Sequence, residues 1–279
     1  MDEGRAPEDS KKLVRNLRLI LSYDGSEFAG WQVQPGQPTI QGALASVIGR
    51  LTRENVLPQG SGRTDAGVHA LAQVATFATA SPIPTENWIK VLNDSLPASI
   101  RVLEVSEVPA EFHARKSARA KTYRYRIYRG DVCPPFLARY VWHYPFPLDE
   151  PAMAESAGII IGEHDFASFA AVDGERVARM AAGQDHDHRG HGGTQGKNET
   201  NVRAIFSSAW IREEEELIYT VRGNGFLHHM VRNLVGTFLL VGKGTLNRED
   251  LGRILAARDR SAAGATAPAG GLYLVGVEY

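Results

Sequence analysis

Apolar and polar positions alternate with a period of two through Leu17, Leu19 and Leu21, as a half-buried strand requires, and Asp24-Gly25 then reads as a turn. Ile40, Leu44, Val47, Ile48 and Leu51 recur instead on one helical face, behind the start signal Pro38-Thr39. Residues 73–79 alternate again as a strand, 85–96 read as a second helix, and 100–108 as a further strand. With a short strand near Val56 the order becomes βαββαβ, the ferredoxin-like order.

After Pro109 the order partly repeats. Strands are predicted at 121–129 and 140–146, a helix from Asp149, and strands at 202–211 and 217–222; two helices and a closing strand follow. The first of these helices is predicted over 226–241. Phe226, Met230, Leu234 and Phe238 form its apolar stripe, with Arg232 and His228 on another face. Gly223-Asn224-Gly225 reads as its flexible N-terminal cap, where backbone donors can meet an anion. The expected class is α+β, with two ferredoxin-like (RRM-like) halves, antiparallel or mixed sheets and a central active-site cleft between them. Residues 1–15 are expected to be a disordered tail, 16–109 the first half and 110–279 the second.

The chain has 279 residues, 43% of them hydrophobic and 23% charged, which suits a folded protein of one large or two modest domains. Cys133 is the single cysteine, so no internal disulfide can form and a reducing compartment, the cytoplasm, is expected. The first residues lack the apolar core of a signal peptide, and Arg232 interrupts the longest apolar stretch; neither export nor membrane spanning is expected.

A formal net charge of −1 argues against binding nucleic acid by overall attraction. Local charge is another matter. Arg115, Lys116, Arg119, Lys121, Arg124, Arg126 and Arg129 lie in a window free of Asp and Glu, the footprint of a phosphate-binding surface. Within it Tyr123, Tyr125 and Ile127 share one strand face and the arginines the other. Such a strand suits a core position with solvated charges, and its tyrosines also suit base stacking, worth about 1–3 kcal/mol per base.

Residues 172–200 are rich in Gly, Asp, His and Gln and lack an apolar period, which predicts a flexible insertion. His186, His188 and His191 with Asp185 and Asp187 are metal-ligand types, but a glycine-rich run of this kind is not preorganised, and no metal is expected there. Walker-type, paired CxxC and HExxH motifs do not occur. The loop Gly60-Ser61-Gly62-Arg63-Thr64-Asp65 has Asp65 where a dinucleotide fingerprint needs its third glycine, and a strand follows it where a helix should. Asp65 is either an ordinary turn residue or, with Arg63 two residues away in a loop of little bulk, a carboxylate able to approach a substrate closely.

Together these motifs resemble the tRNA pseudouridine synthase A family. The resemblance runs from about Asn16 to Tyr279. It is carried by Tyr23-Asp24-Gly25, Gly30-Trp31-Gln32, Gly62 to Ala70, Asn93 with Leu96-Pro97, Phe112-His113-Ala114-Arg115, Lys121 to Tyr125, Phe226 to Asn233, Thr266-Ala267-Pro268 and Gly271-Leu272. It implies conversion of uridine to pseudouridine at nucleotides 38, 39 and 40 of the tRNA anticodon stem-loop, by a homodimer without metal or other cofactor. It further implies that Asp65 is the catalytic aspartate, Arg232 its basic partner, Tyr123 the active-site tyrosine and Arg63 an RNA contact or base-flipping aid. Whether the aspartate attacks C1′ or removes a ribose proton stays open. Lys116 stands where the family commonly has an aromatic residue, and the glycine-histidine insertion is longer than the family usually carries. Two other classes compete: a non-catalytic RNA-binding module built on the basic strand, and a metal-dependent hydrolase using the histidine run.

Overall fold

A computed structural model describes residues 14–171 and 200–279. Nearly all of the expected tail, and all of the expected insertion with its histidines except Thr200, lie outside the described residues. The architecture is α+β, built on one large mixed sheet. In the first part of the chain β1 (Arg15–Tyr23), α1 (Ile40–Thr52), β2 (Gln59–Gly60), β3 (His69–Thr79), α2 (Trp88–Ser95) and β4 (Ile100–Val108) succeed one another. The second part supplies β5 (Ala120–Tyr128), β6 (Trp142–His143), α3 (Glu150–Ala157), β7 (Gly162–Asp165), β8 (Val202–Glu213), β9 (Glu216–Gly223), α4 (Met230–Gly242), α5 (Arg248–Ala257) and β10 (Leu272–Glu278).

The local causes are legible. Leu17, Leu19 and Leu21 are fully buried on β1 while their neighbours are not, as the period-two pattern demands. The Thr39 side chain caps α1 by accepting from the Gly42 N–H, and Asp149 caps α3 by accepting from Ala152; each satisfies a donor that the helix cannot. Two predicted strands are shorter than expected, because proline removes ladder donors. Pairing near Val56 begins only at Gln59, beyond Pro58, and the strand expected over 140–146 is reduced to Trp142–His143 ahead of Pro145 and Pro147. The helix expected over 85–96 opens with one 3₁₀ turn at Thr85–Asn87, and β7 was not foreseen.

The strands run in the order β4-β1-β3-β10-β5-β9-β8-β7, with β2 pairing β3 and β6 pairing β5. Chain-terminal β10 therefore lies between the two parts, parallel to β3 and antiparallel to β5. The rung Ala70, Leu274, Tyr123, Val221 crosses this junction. Since strands lie about 4.8 Å apart, the start of β3 and Tyr123 are separated by only about two strand spacings. The loop that ends at β3 is thereby delivered beside β5. The buried side chains of both parts form one continuous apolar cluster.

Candidate active site

Asp65 sits in the loop from β2 to β3. Ser61 N–H donates to Val74 O at 2.7 Å, Trp31 N–H to Thr64 O at 3.0 Å, and Gly67 N–H to Phe28 O at 3.3 Å. Gly30, with φ +92°, lies against this loop so closely that a Cβ would stand 2.6 Å from Thr64 O; only glycine fits both the conformation and the space. The Tyr23 and Gly30 motifs are thus the bed on which the Asp65 loop lies.

Arg232 arrives from α4. Its Nη1 donates to Asp65 Oδ2 at 3.0 Å and its Nε to Ala267 O at 2.7 Å. The two side chains are only 15% and 17% exposed, so the pair is largely withdrawn from water and its attraction is weakly screened. The Thr266-Ala267-Pro268 motif is the cradle of this arginine. Thr266 Oγ1 donates to Asn233 Oδ1 at 2.7 Å, Tyr125 OH donates to Pro268 O at 2.7 Å, and Arg260 bonds both Asn233 and Thr266.

The helix carrying Arg232 begins at Met230, not Phe226, and the Gly223-Asn224-Gly225 cap does not exist. Gly223 ends β9, and Asn224 is tied to β8 through Ala204, giving its N–H and accepting in return, at 3.0 Å each. The cause is His229, whose φ of +60° is left-handed and breaks the helical path before Met230. That break turns two imidazoles onto the carboxylate. His228 Nε2 lies 3.4 Å from Asp65 Oδ1 and His229 Nε2 3.4 Å from Oδ2, with the two rings 4.0 Å apart. Burial lowers the His229 pKa and His228, Arg232 and Arg260 add to it, against the opposing pull of Asp65; its neutral form is favoured. Sequence reasoning gave neither histidine a role. The available signal was the adjacent pair on the approach to an arginine-bearing helix. Ligand atoms of Asp65, His228 and His229 lie within 4.8 Å of one another, a spacing that a divalent cation could use, but Arg232 already places a cation on Oδ2.

Tyr123 is 7% exposed, and the Phe226 ring meets it edge-on with centroids 4.9 Å apart. Burial drives its pKa well above the ordinary tyrosine range, and the charges of Tyr23 and Asp65 add to the effect. The hydroxyl therefore stays protonated and offers a hydrogen for donation. Arg63 is exposed and has neither a hydrogen bond nor an ion pair among the described residues. The structure puts Asp65 and Arg232 in contact, sets Tyr123 within electrostatic reach of Asp65, and leaves Arg63, two residues back along the loop, facing solvent.

The basic window divides. Arg126 is held by Glu216 at 2.6 and 2.5 Å, and Arg129 by Glu150 at 3.1 Å, so two of the seven cations are internal struts. Arg115, Lys116 and Arg119 are exposed. Lys121 Nζ donates to Ser61 O at 2.6 Å, joining the basic strand to the Asp65 loop. Burial lowers its pKa to about 8, with Arg115 and Arg203 contributing. No helix among the described residues is long and apolar enough to cross a membrane.

The family model described as tRNA pseudouridine synthase matches residues 19–115 and 157–279. The chain belongs to that family. The synthase is 50% identical over 266 residues to tRNA pseudouridine synthase A of Solibacter usitatus, covering 95% of this chain and all of that protein. It is 45% identical over 265 residues to the protein of the same name from Moorella thermoacetica, covering 94% and 99%. With that of Brevibacillus brevis it shares 44% identity over 266 residues, covering 95% and 100%. The synthase isomerises uridine to pseudouridine in tRNA.

Proposed function

We propose that the enzyme acts on nucleotides 38, 39 and 40 of the tRNA anticodon stem-loop, with Asp65 as its catalytic carboxylate. The observation that carries this reading is the withdrawn ion pair of Asp65 and Arg232 at 3.0 Å, set beside buried Tyr123. The reaction breaks the bond from ribose C1′ to uracil N1, turns the base and joins C5 to C1′. C5 then loses its proton and N1 gains one, so no atom is added overall. A base in a helical stem must first be extruded, at a cost of a few kcal/mol. Arg63 at the rim of the site contacts the RNA during that step, and Tyr123 packs against the flipped base.

Arg232 keeps Asp65 ionised against the desolvation that a bound nucleotide imposes, and the charged carboxylate attacks C1′ or takes a ribose proton. Residues 16–109 and 110–279 are read as two ferredoxin-like halves; the strand order β4-β1-β3-β2 is 4-1-3-2 in the first part, and β10-β5-β9-β8 repeats it in the second once the short strands β6 and β7 are set aside, which supports that reading. The enzyme is further proposed to work as a cytoplasmic homodimer without metal or other cofactor.

Tritium release from tRNA labelled at uridine C5 tests the assignment. Release by the parent and none by Asp65→Ala, with chelator present throughout, is the expected result. Turnover by Asp65→Ala would overturn it, and mapping of the product nucleotide outside 38–40 would overturn the positional claim.

A further inference from the structure

Gln73 on β3 belongs to none of the groups above, yet it is 0% exposed and its side-chain amide meets the Asp65 loop repeatedly. Its Oε1 accepts from Ser61 Oγ at 2.6 Å and from the Val74 N–H at 3.1 Å. Its Nε2 donates to Gly62 O at 3.0 Å and to Tyr23 OH at 3.5 Å. The Tyr23 hydroxyl, itself pushed up to about 12 by burial, is 2.8 Å from Thr64 Oγ1. One amide thus ties Ser61 and Gly62 directly and Thr64 through Tyr23, leaving Arg63 exposed among them.

We propose that Gln73 is a positioning residue of the reaction: it fixes the backbone from Ser61 to Thr64 so that Asp65 meets both Arg232 and the substrate ribose in a reactive orientation. This rests on Asp65 being the catalytic carboxylate. The chemistry of the amide is what the place requires. One end faces a hydroxyl and an N–H, both able to donate, and the other faces a carbonyl, so a group that accepts at one atom and donates at the other satisfies all of them. Methionine fills the same volume but does neither. It leaves the Gly62 carbonyl without its side-chain donor, and the loop relieves that cost by moving. An ionised glutamate accepts from Ser61 but sets an oxygen against Gly62 O; a protonated one donates there again.

The test measures C5 tritium release over a range of tRNA concentrations, with the full chain held well below the melting temperature of each variant. Gln73→Met is expected to lose kcat about 100-fold, as misplacing a reacting group by about 1 Å does, with KM within about threefold. Gln73→Glu should recover part of that loss at low pH and shed it as pH rises, a dependence steeper than the parent's and one that simple loosening of the fold does not create. Ser61→Ala and Tyr23→Phe each remove one tie and should lower kcat by about 3- to 10-fold, about the worth of one hydrogen bond. A folded Gln73→Met with kcat within about threefold of the parent, or with its whole loss in KM, overturns the proposal. Should Gln73→Met fail to fold, unchanged kcat in both single-tie variants overturns it instead. Asp65→Asn separates the two claims. If it turns over, the reading of the site itself fails; if it is inactive while the Gln73 variants run at the parental kcat, only the positioning role fails.

Discussion

The two sides of the proposed active site are built by different means. The Asp65 side is a short loop held from beneath, by the backbone of Trp31 and Val74, the close approach of Gly30 and the buried amide of Gln73. The cationic side is a helix start, where Arg232 is anchored through Ala267 and two histidines reach the carboxylate from a strained turn. Among the described residues, Arg53, Glu214, His229 and Arg258 are non-glycine residues with positive φ. Arg53 and Arg258 end helices and Glu214 turns the β8–β9 hairpin, whereas His229 precedes a helix. The carboxylate is fixed by satisfied buried polar groups, whereas the two imidazoles are turned onto it by a backbone conformation that costs energy and Arg232 is held by its bond to Ala267. Strain of that kind persists only where its surroundings hold it.

The sharpest way to break this comparison is to neutralise each side. Asp65→Asn keeps the shape of the loop and removes the charge, and should lower kcat by at least about 10³-fold, beyond what loss of one electrostatic contact gives. Arg232→Gln leaves the carboxylate intact but without its guanidinium, and should cost about 10²- to 10³-fold. Single-turnover assays with saturating tRNA measure both. Equal losses would mean that the pair acts as one unit; a larger loss at Arg232 would reverse the ranking of the two sides.

The Asp65 loop was legible as a loop because its signals are local: glycines and an aspartate lie between alternating stretches, a pattern that by itself left Asp65 either a turn residue or a working carboxylate. β1 and α1 follow the hydrophobic period closely, whereas on β4 Leu103 breaks it and is exposed. The cationic side was less legible. Helical periodicity extended the helix back to Phe226, since a positive φ at His229 leaves no mark on an apolar pattern, and the cap was misplaced with it. Arg126 and Arg129 counted as phosphate contacts until pairing with Glu216 and Glu150, 90 and 21 residues away, showed them to be internal. The placement of β10 between β3 and β5 is a long-range pairing of the same kind, invisible to any local window.

Lys121 links the two scales, because it lies on the basic strand and holds the Asp65 loop through Ser61 O. With its pKa lowered to about 8, the free enzyme loses this cation as pH rises through that value, and kcat/KM, which reports free-enzyme groups, should fall over the same range. Lys121→Met should lower kcat/KM about tenfold at neutral pH, the order of one charged hydrogen bond to the loop, and flatten the fall near pH 8. A variant that keeps the parental profile would assign the pH dependence to another group.

The smallest effect concerns the strained turn itself. Asparagine, whose short side chain can hydrogen-bond locally in the left-handed region, should relieve in His229→Asn part of a strain of about 1 kcal/mol while removing the imidazole from Asp65. Stability against denaturant should hold or rise slightly at pH 8, and kcat should fall modestly if the imidazole steadies the carboxylate. The pH dependence carries the sharper information. Because the fold lowers the His229 pKa, it favours the neutral ring; the stability that ring contributes is complete above the ordinary histidine value of about 6.5. It is lost as pH falls from there through the lowered folded value, since the unfolded chain then binds the extra proton. Buried His69 is lowered too, by burial against the opposing charge of Asp24, and slopes the same way in both proteins. The difference between the two denaturation series therefore reports His229 together with the Asp65 and His228 groups it touches, and the variant should lose less stability than the parent between pH 7 and 5. Parallel curves would mean that the turn, and not the imidazole, is what the site requires at this position.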